Sequence, residues 1–194
     1  LRISMATCRN KVFGFETKFL PEQQLRREWI GLPLKTYLEL LQELGFTHFI
    51  LLRRRNYLRR AVSALAGRQT KRWQTRRRAG MPTRVRIDPR VFPTGNIAKP
   101  LLEHFRDLDM NYHSASEALE GIPCLELEYE MHILTDPSIA YRMVLDFLGL
   151  EALTDAVSIR LQRTNPFPLE DMIENYDEVV SALTDTSYEW MLRT

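Results

Sequence analysis

Between positions 53 and 78 the chain carries ten arginines and Lys71 without a single acidic residue. Removing these 11 from the 27 basic residues leaves 16 against 25 acidic ones elsewhere, so a nearly neutral chain of net charge +2 concentrates its positive charge in one place. Such concentration predicts an anionic partner there. Within the run, Arg55 and Ser63 stand eight residues apart, with Asn56 between a short apolar segment and an amphipathic one. A guanidinium offers a planar fork to phosphate or sulfate oxygens, and a serine hydroxyl adds a neutral donor. Two cysteines, Cys8 and Cys124, lie too far apart in sequence to suggest a disulfide framework. The histidines, His48, His104, His113 and His132, are scattered, and no His/Cys cluster has metal-ligand spacing. No metal is expected.

The elements that would position these groups can be read from periodicity. Residues 47–52 form an almost continuous apolar run, the pattern of a strand covered on both faces in a parallel sheet. Asn56 can cap a following helix whose Leu58, Val62, Leu65 and Ala66 share a face. The arginines therefore fall at a strand-to-helix junction, where a helix N-terminus presents unpaired N–H groups and where open α/β sheets bind ligands. Upstream, 11–19 alternates with period two and reads as a strand, 34–44 as a helix closed by Gly45, and 1–8 as helical. Downstream, 69–96 reads as a surface excursion, 98–119 as a long amphipathic helix, and 122–129 as a further strand. Asp136 and Pro137 open a helix that Gly149 stops, and a last helix lies near 175–183.

The stretch from Arg55 to Ser63 resembles the 3′-phosphate-binding motif of sulfotransferases that use 3′-phosphoadenosine 5′-phosphosulfate (PAPS). Glu126–Glu130 with Asp136-Pro137 and 145–150, then Asn165-Pro166-Phe167-Pro168-Leu169, Ile173–Tyr176 and Tyr188–Leu192, are similar to later segments of the soluble bacterial-type members. The resemblance runs in order over roughly positions 12–192. It implies a single α/β domain over 1–194, a three-layer P-loop-type parallel sheet flanked by helices, and transfer of a sulfuryl group from PAPS to an acceptor hydroxyl on a carbohydrate, lipid or secondary metabolite. It further implies Arg55 and Ser63 as the 3′-phosphate ligands, Glu16 as catalytic base and Lys18 as stabiliser of the bridging oxygen. Glu16 and Lys18 would share a strand face, where they can also simply pair with each other. Family members open with a strand, a Gly/Ser/Thr-rich loop and a helix that hold the 5′-phosphosulfate; these residues contain no such segment and begin without methionine, so the domain is expected to be N-terminally incomplete.

A different class is also open. The basic segment 53–78, with Tyr57 and Trp73 interleaved, has the composition of a nucleic-acid surface in which arginines contact phosphates and aromatics stack on bases. No apolar run reaches the roughly 20 residues of a membrane helix, and a cytoplasmic protein with no membrane partner is expected.

Overall fold

The computed structural model describes residues 12–18, 32–76, 80–94, 97–151 and 162–193. The expected helix at 1–8 lies outside them. The fold is mixed α/β: a small parallel sheet, an antiparallel hairpin and seven α-helices among the described residues. In chain order these are α1 (Leu34–Glu43), β1 (Phe49–Arg53), α2 (Tyr57–Thr70), β2 (Phe92–Thr94), β3 (Ile97–Lys99), α3 (Leu101–Ala118), β4 (Cys124–Glu128), α4 (Tyr129–His132), α5 (Pro137–Phe147), α6 (Leu169–Met172) and α7 (Tyr176–Leu183), followed by a 3₁₀ turn at Glu189–Arg193. No described helix is long and apolar enough to cross a membrane.

Local signals set most boundaries. α1 and α5 both end in a Schellman arrangement at a glycine with positive φ: Phe46 N–H returns to Leu41 C=O after Gly45, and Leu150 N–H to Leu145 C=O after Gly149. α5 starts where Asp136 accepts from Ser138 N–H, with Pro137 as its first residue. β1 and β4 pair in parallel from Phe49↔Cys124 to Arg53↔Glu128, which brings their carboxyl ends side by side.

Three expectations are corrected. The alternation at 11–19 does not become a strand: residues 12–18 are irregular, and Phe13 and Phe15 lean on Phe46 with ring centroids 6.1 and 5.1 Å away. β1 is not covered on both faces by the described residues, since Leu51 is buried while Ile50 and Leu52 are 45% and 46% exposed. Nor is the proline-bearing stretch at 69–96 only surface, because Val85, Ile87 and Phe92 enter the core.

That stretch is drawn inward by the C-terminal tail at every second residue. Thr83 N–H donates to Asn165 Oδ1 and its C=O accepts from Asn165 Nδ2; Val85 exchanges backbone bonds with Met172 and Glu174; Ile87 is paired by the Asn175 side chain as Thr83 is by Asn165. Two asparagine amides thus act as short lengths of strand. Asn175, at the start of α7, gives its side chain to Ile87 and makes no capping bond to its own helix.

Around this frame Leu58, Val62, Phe105, Ile173, Val179 and Leu183 are fully buried. A side chain of this kind contributes about 1.5–3 kcal/mol when removed from water. The core is fastened at one point by Asp109 of α3. Its carboxylate accepts from Arg53 (2.7 Å), Tyr57 Oη (2.7 Å) and Tyr188 Oη (2.8 Å), joining β1, α2, α3 and the tail. Burial, reinforced by the bond to Asp109, pushes the Tyr57 hydroxyl well above its ordinary value and that of Tyr188 up to about 12.

Two predictions follow from these fastenings. Asn175→Ala strands the N–H and C=O of Ile87, and a urea titration should show a loss of about 2–4 kcal/mol; a loss below the size of one hydrogen bond would contradict the clamp. Because the folded Tyr188 pKa lies above its unfolded value near 10, the stability it contributes is complete below pH 10 and is lost as pH rises through about 12. Between pH 8 and 11.5 the denaturation midpoint should fall more for the wild type than for Tyr188→Phe.

Candidate functional site

The strand-to-helix junction forms as the sequence suggests, and part of its backbone donor set is engaged within the chain. The Glu130 carboxylate accepts from Arg55 N–H at 2.9 Å and from Asn56 N–H at 3.0 Å. Asn56 Oδ1 caps α2 by accepting from Arg59 N–H at 2.8 Å, while its Nδ2 donates to Met191 C=O. The chain's own carboxylate thus occupies the two N–H groups that precede the helix, those of Arg55 and Asn56.

A second cluster of cationic side chains lies on the flank of α2. Arg59 and Ser63, one helical turn apart, face the same way. They line a cavity of about 80 Å³ together with Arg54, Val62, Tyr129, Arg163, Thr164, Asn165 and Met172. The Arg54 guanidinium lies over the Tyr129 ring, 4.8 Å from its centroid. Its Nε is buried without a hydrogen bond, 3.9 Å from Glu130 Oε1. Arg59 donates to Phe167 C=O at 3.0 Å. Burial first, and then repulsion from Arg163 and other neighbouring arginines, holds the pKa values of both Arg54 and Arg59 below the usual arginine range. Three cations and a hydroxyl thus converge on a space the size of one tetrahedral oxyanion.

A second cavity, of about 320 Å³, continues along α2 and shares Thr164 and Asn165 with the first. Ala66, Gly67, Thr70, Arg72 and Thr83 are among its walls. Its volume falls at the lower end of the range for small-molecule sites. Beside it Trp73 lies flat on α2: a Cβ on Gly67 would come 2.7 Å from the indole, so only glycine admits the ring, which is 63% exposed.

Of the residues singled out from the sequence, Ser63 is in the small cavity and Arg55 is not. Arg55 projects outward at 52% exposure, with Nη1 3.6 Å from Glu128 Oε2 and Cζ 5.8 Å from the Trp190 ring centroid. Its place is filled by Arg54 and by Arg163, which comes from the tail, 100 residues beyond Ser63 in sequence. Glu16 and Lys18 are exposed on the segment against Phe46, before β1 begins, and line neither cavity. The histidines are engaged elsewhere: His104 is buried against Phe92, His132 Nδ1 accepts from Glu128 N–H, His48 meets Phe147 edge-on, and His113 pairs with Glu117.

Set beside protein-family models, curated proteins and solved structures, the chain gives no significant match in any of the three.

Like charges sharing one small cavity repel by roughly 2–4 kcal/mol per pair at separations of about 4–8 Å and an effective dielectric constant near 20. Sulfate or inorganic phosphate should therefore raise the melting temperature, by the equivalent of about 2.7 kcal/mol at a concentration one hundred times Kd. Arg163→Ala should abolish most of this shift without lowering the melting temperature measured in chloride. A variant that responds to sulfate as the wild type does would remove Arg163 from the site.

Proposed function

We propose that the chain is the nucleotide-binding part of a PAPS-dependent sulfotransferase, with the nucleotide's 3′-phosphate in the small cavity and its nucleoside in the larger one. The observation that carries this reading is that Ser63, Arg54, Arg59 and Arg163 together line a space of about 80 Å³ that shares two wall residues, Thr164 and Asn165, with one of about 320 Å³. The motif around Ser63 and the order of the later segments support the same family. On this reading the two parallel strands and the helices on them belong to the three-layer P-loop-type sheet of that fold.

The donor set suits a phosphate monoester. Guanidinium forks match its oxygens in pairs, and Ser63 adds a donor without further charge. The reaction forms a bond between the acceptor oxygen and sulfur as the bond from sulfur to the bridging oxygen of the 5′-phosphate breaks. The acceptor proton passes to a base, and 3′-phosphoadenosine 5′-phosphate departs. Acceptors are hydroxyls of a carbohydrate, lipid or secondary metabolite. The second reading, a nucleic-acid surface, draws on the exposed Arg68, Lys71, Arg72, Arg76 and Trp73. It loses one stacking group, because Tyr57 is 1% exposed and its hydroxyl is bound to Asp109.

Calorimetry with 3′-phosphoadenosine 5′-phosphate against 5′-AMP tests the reading. The 3′-phosphate should tighten binding at least tenfold. Ser63→Ala should then cost about fivefold to tenfold, and Arg59→Ala more, as expected for a neutral and a charged donor. Arg55→Ala should leave affinity nearly unchanged, since its guanidinium is turned to Glu128. Equal, weak binding of both nucleotides with strongly salt-dependent binding of oligonucleotides would replace sulfotransfer by the nucleic-acid reading.

A further inference from the structure

We propose that Glu130 is a positioning residue for the phosphate site: it occupies the helix N-terminus with its own carboxylate and thereby holds Arg54 in the cavity on the flank of α2. The inference rests on the nucleotide reading above and adds to it a residue that touches no ligand.

The geometry has three parts. Parallel pairing places Arg53 opposite Glu128, so the residues that follow each strand, 54–56 and 129–130, meet at the carboxyl edge of the sheet. There β4 turns at once into α4, with Glu128 N–H donated to His132 Nδ1, and this one-turn helix presents Tyr129 and Glu130 to the start of α2. Both Glu130 oxygens are used, one on each N–H of Arg55 and Asn56. The same carboxylate stands 3.9 Å from Arg54 Nε, beyond hydrogen-bond range, while the Tyr129 ring supports the guanidinium plane. Arg54 is therefore oriented from behind by charge and by an aromatic face, and Glu130 does not take up its donors. Without Glu130, Arg54 would have no anchor at its Nε edge.

Charge alone predicts the opposite sign. A carboxylate close to an anion site repels the ligand, so deleting it would tighten binding. Positioning predicts loss, because Arg54 drifts from the geometry that the other two arginines share. The direction of the effect separates the two.

The experiment measures 3′-phosphoadenosine 5′-phosphate, 5′-AMP and inorganic phosphate binding to the full chain carrying Glu130→Ala, Glu130→Gln, Arg54→Ala or both alanines, with a denaturation midpoint for each. Glu130→Ala should weaken the 3′-phosphorylated nucleotide about tenfold, the scale of one charge-assisted hydrogen bond, and leave 5′-AMP nearly unchanged. Glu130→Gln, which keeps one acceptor, should fall between, and the double variant should bind no more weakly than Arg54→Ala. Tighter binding in Glu130→Ala, or equal losses for both nucleotides that follow the denaturation midpoint, would overturn the inference. If the wild type prefers the 3′-phosphorylated nucleotide and Glu130→Ala keeps that preference, the nucleotide reading stands and Glu130 is excluded. If the wild type shows no such preference, the nucleotide reading fails, and the phosphate isotherms decide: loss in Glu130→Ala that is absent in the Arg54→Ala background supports Glu130, and no loss excludes it.

Discussion

One carboxylate determines how the basic segment can be used. A helix beginning at the edge of a parallel sheet presents unpaired N–H groups, and folding must satisfy them with something negative or polar. Here Glu130 satisfies two of them, and the Asn56 side chain a third. This fastens the ends of β1 and β4 to each other and fixes the direction in which α2 leaves the sheet. Everything built on α2, from Ser63 to the glycine under Trp73, inherits that direction.

A second consequence concerns the arginines. A guanidinium removed from water needs partners, and crowding several together raises the cost. The chain spreads this cost among different solutions. Arg53 is placed on Asp109 and over the Tyr112 ring. Arg55 is turned to Glu128 and Trp190. Arg54 and Arg59, with Arg163, are left around a cavity where their mutual repulsion is incompletely answered. Desolvated, shifted groups of this kind cluster at binding sites and in structural ion-pair networks alike. Consecutive residues of one basic run thus divide between structural work and a site, and the division is decided by the acids that β4, α4 and α3 bring to them.

This explains which parts could be read in the sequence. Elements with local signals were legible: the Asn56 cap, the Asp136-Pro137 start of α5, the glycine stops of α1 and α5, the apolar run of β1 and the alternation of β4. The place of Ser63 on the flank of α2 was legible because its position relative to the strand end is set by the helix alone. Arg55 was not, because α-helical and strand periodicities say nothing of where consecutive residues in the turn between them will point. That depends on Glu128 and Glu130, more than seventy positions away. Arg163 carried no signal beyond its charge, since its place follows from the Asn165 and Asn175 clamps on 83–87. The strand expected at 11–19 failed for a related reason: alternation shows a preference for a half-buried surface, and residues 12–18 meet the ring of Phe46 without pairing to either described sheet.

The clamps connect the tail to the site. Asn165, which neighbours Thr164 in both cavities, spends its whole amide on the Thr83 backbone. Thr83 and Asn165 are adjacent wall residues of the larger cavity, held to each other by these hydrogen bonds. Arg163, two residues earlier, is thereby carried to Arg54 and Arg59 by a backbone whose position the 83–87 segment dictates. The cationic cavity and the larger one beside it are thus dimensioned by one set of bonds, and a ligand that spans both meets a preformed distance between its charged and uncharged parts. Preorganisation of this kind lowers the ordering cost of binding. It also ties the fit of the anion to the integrity of a segment that never touches it.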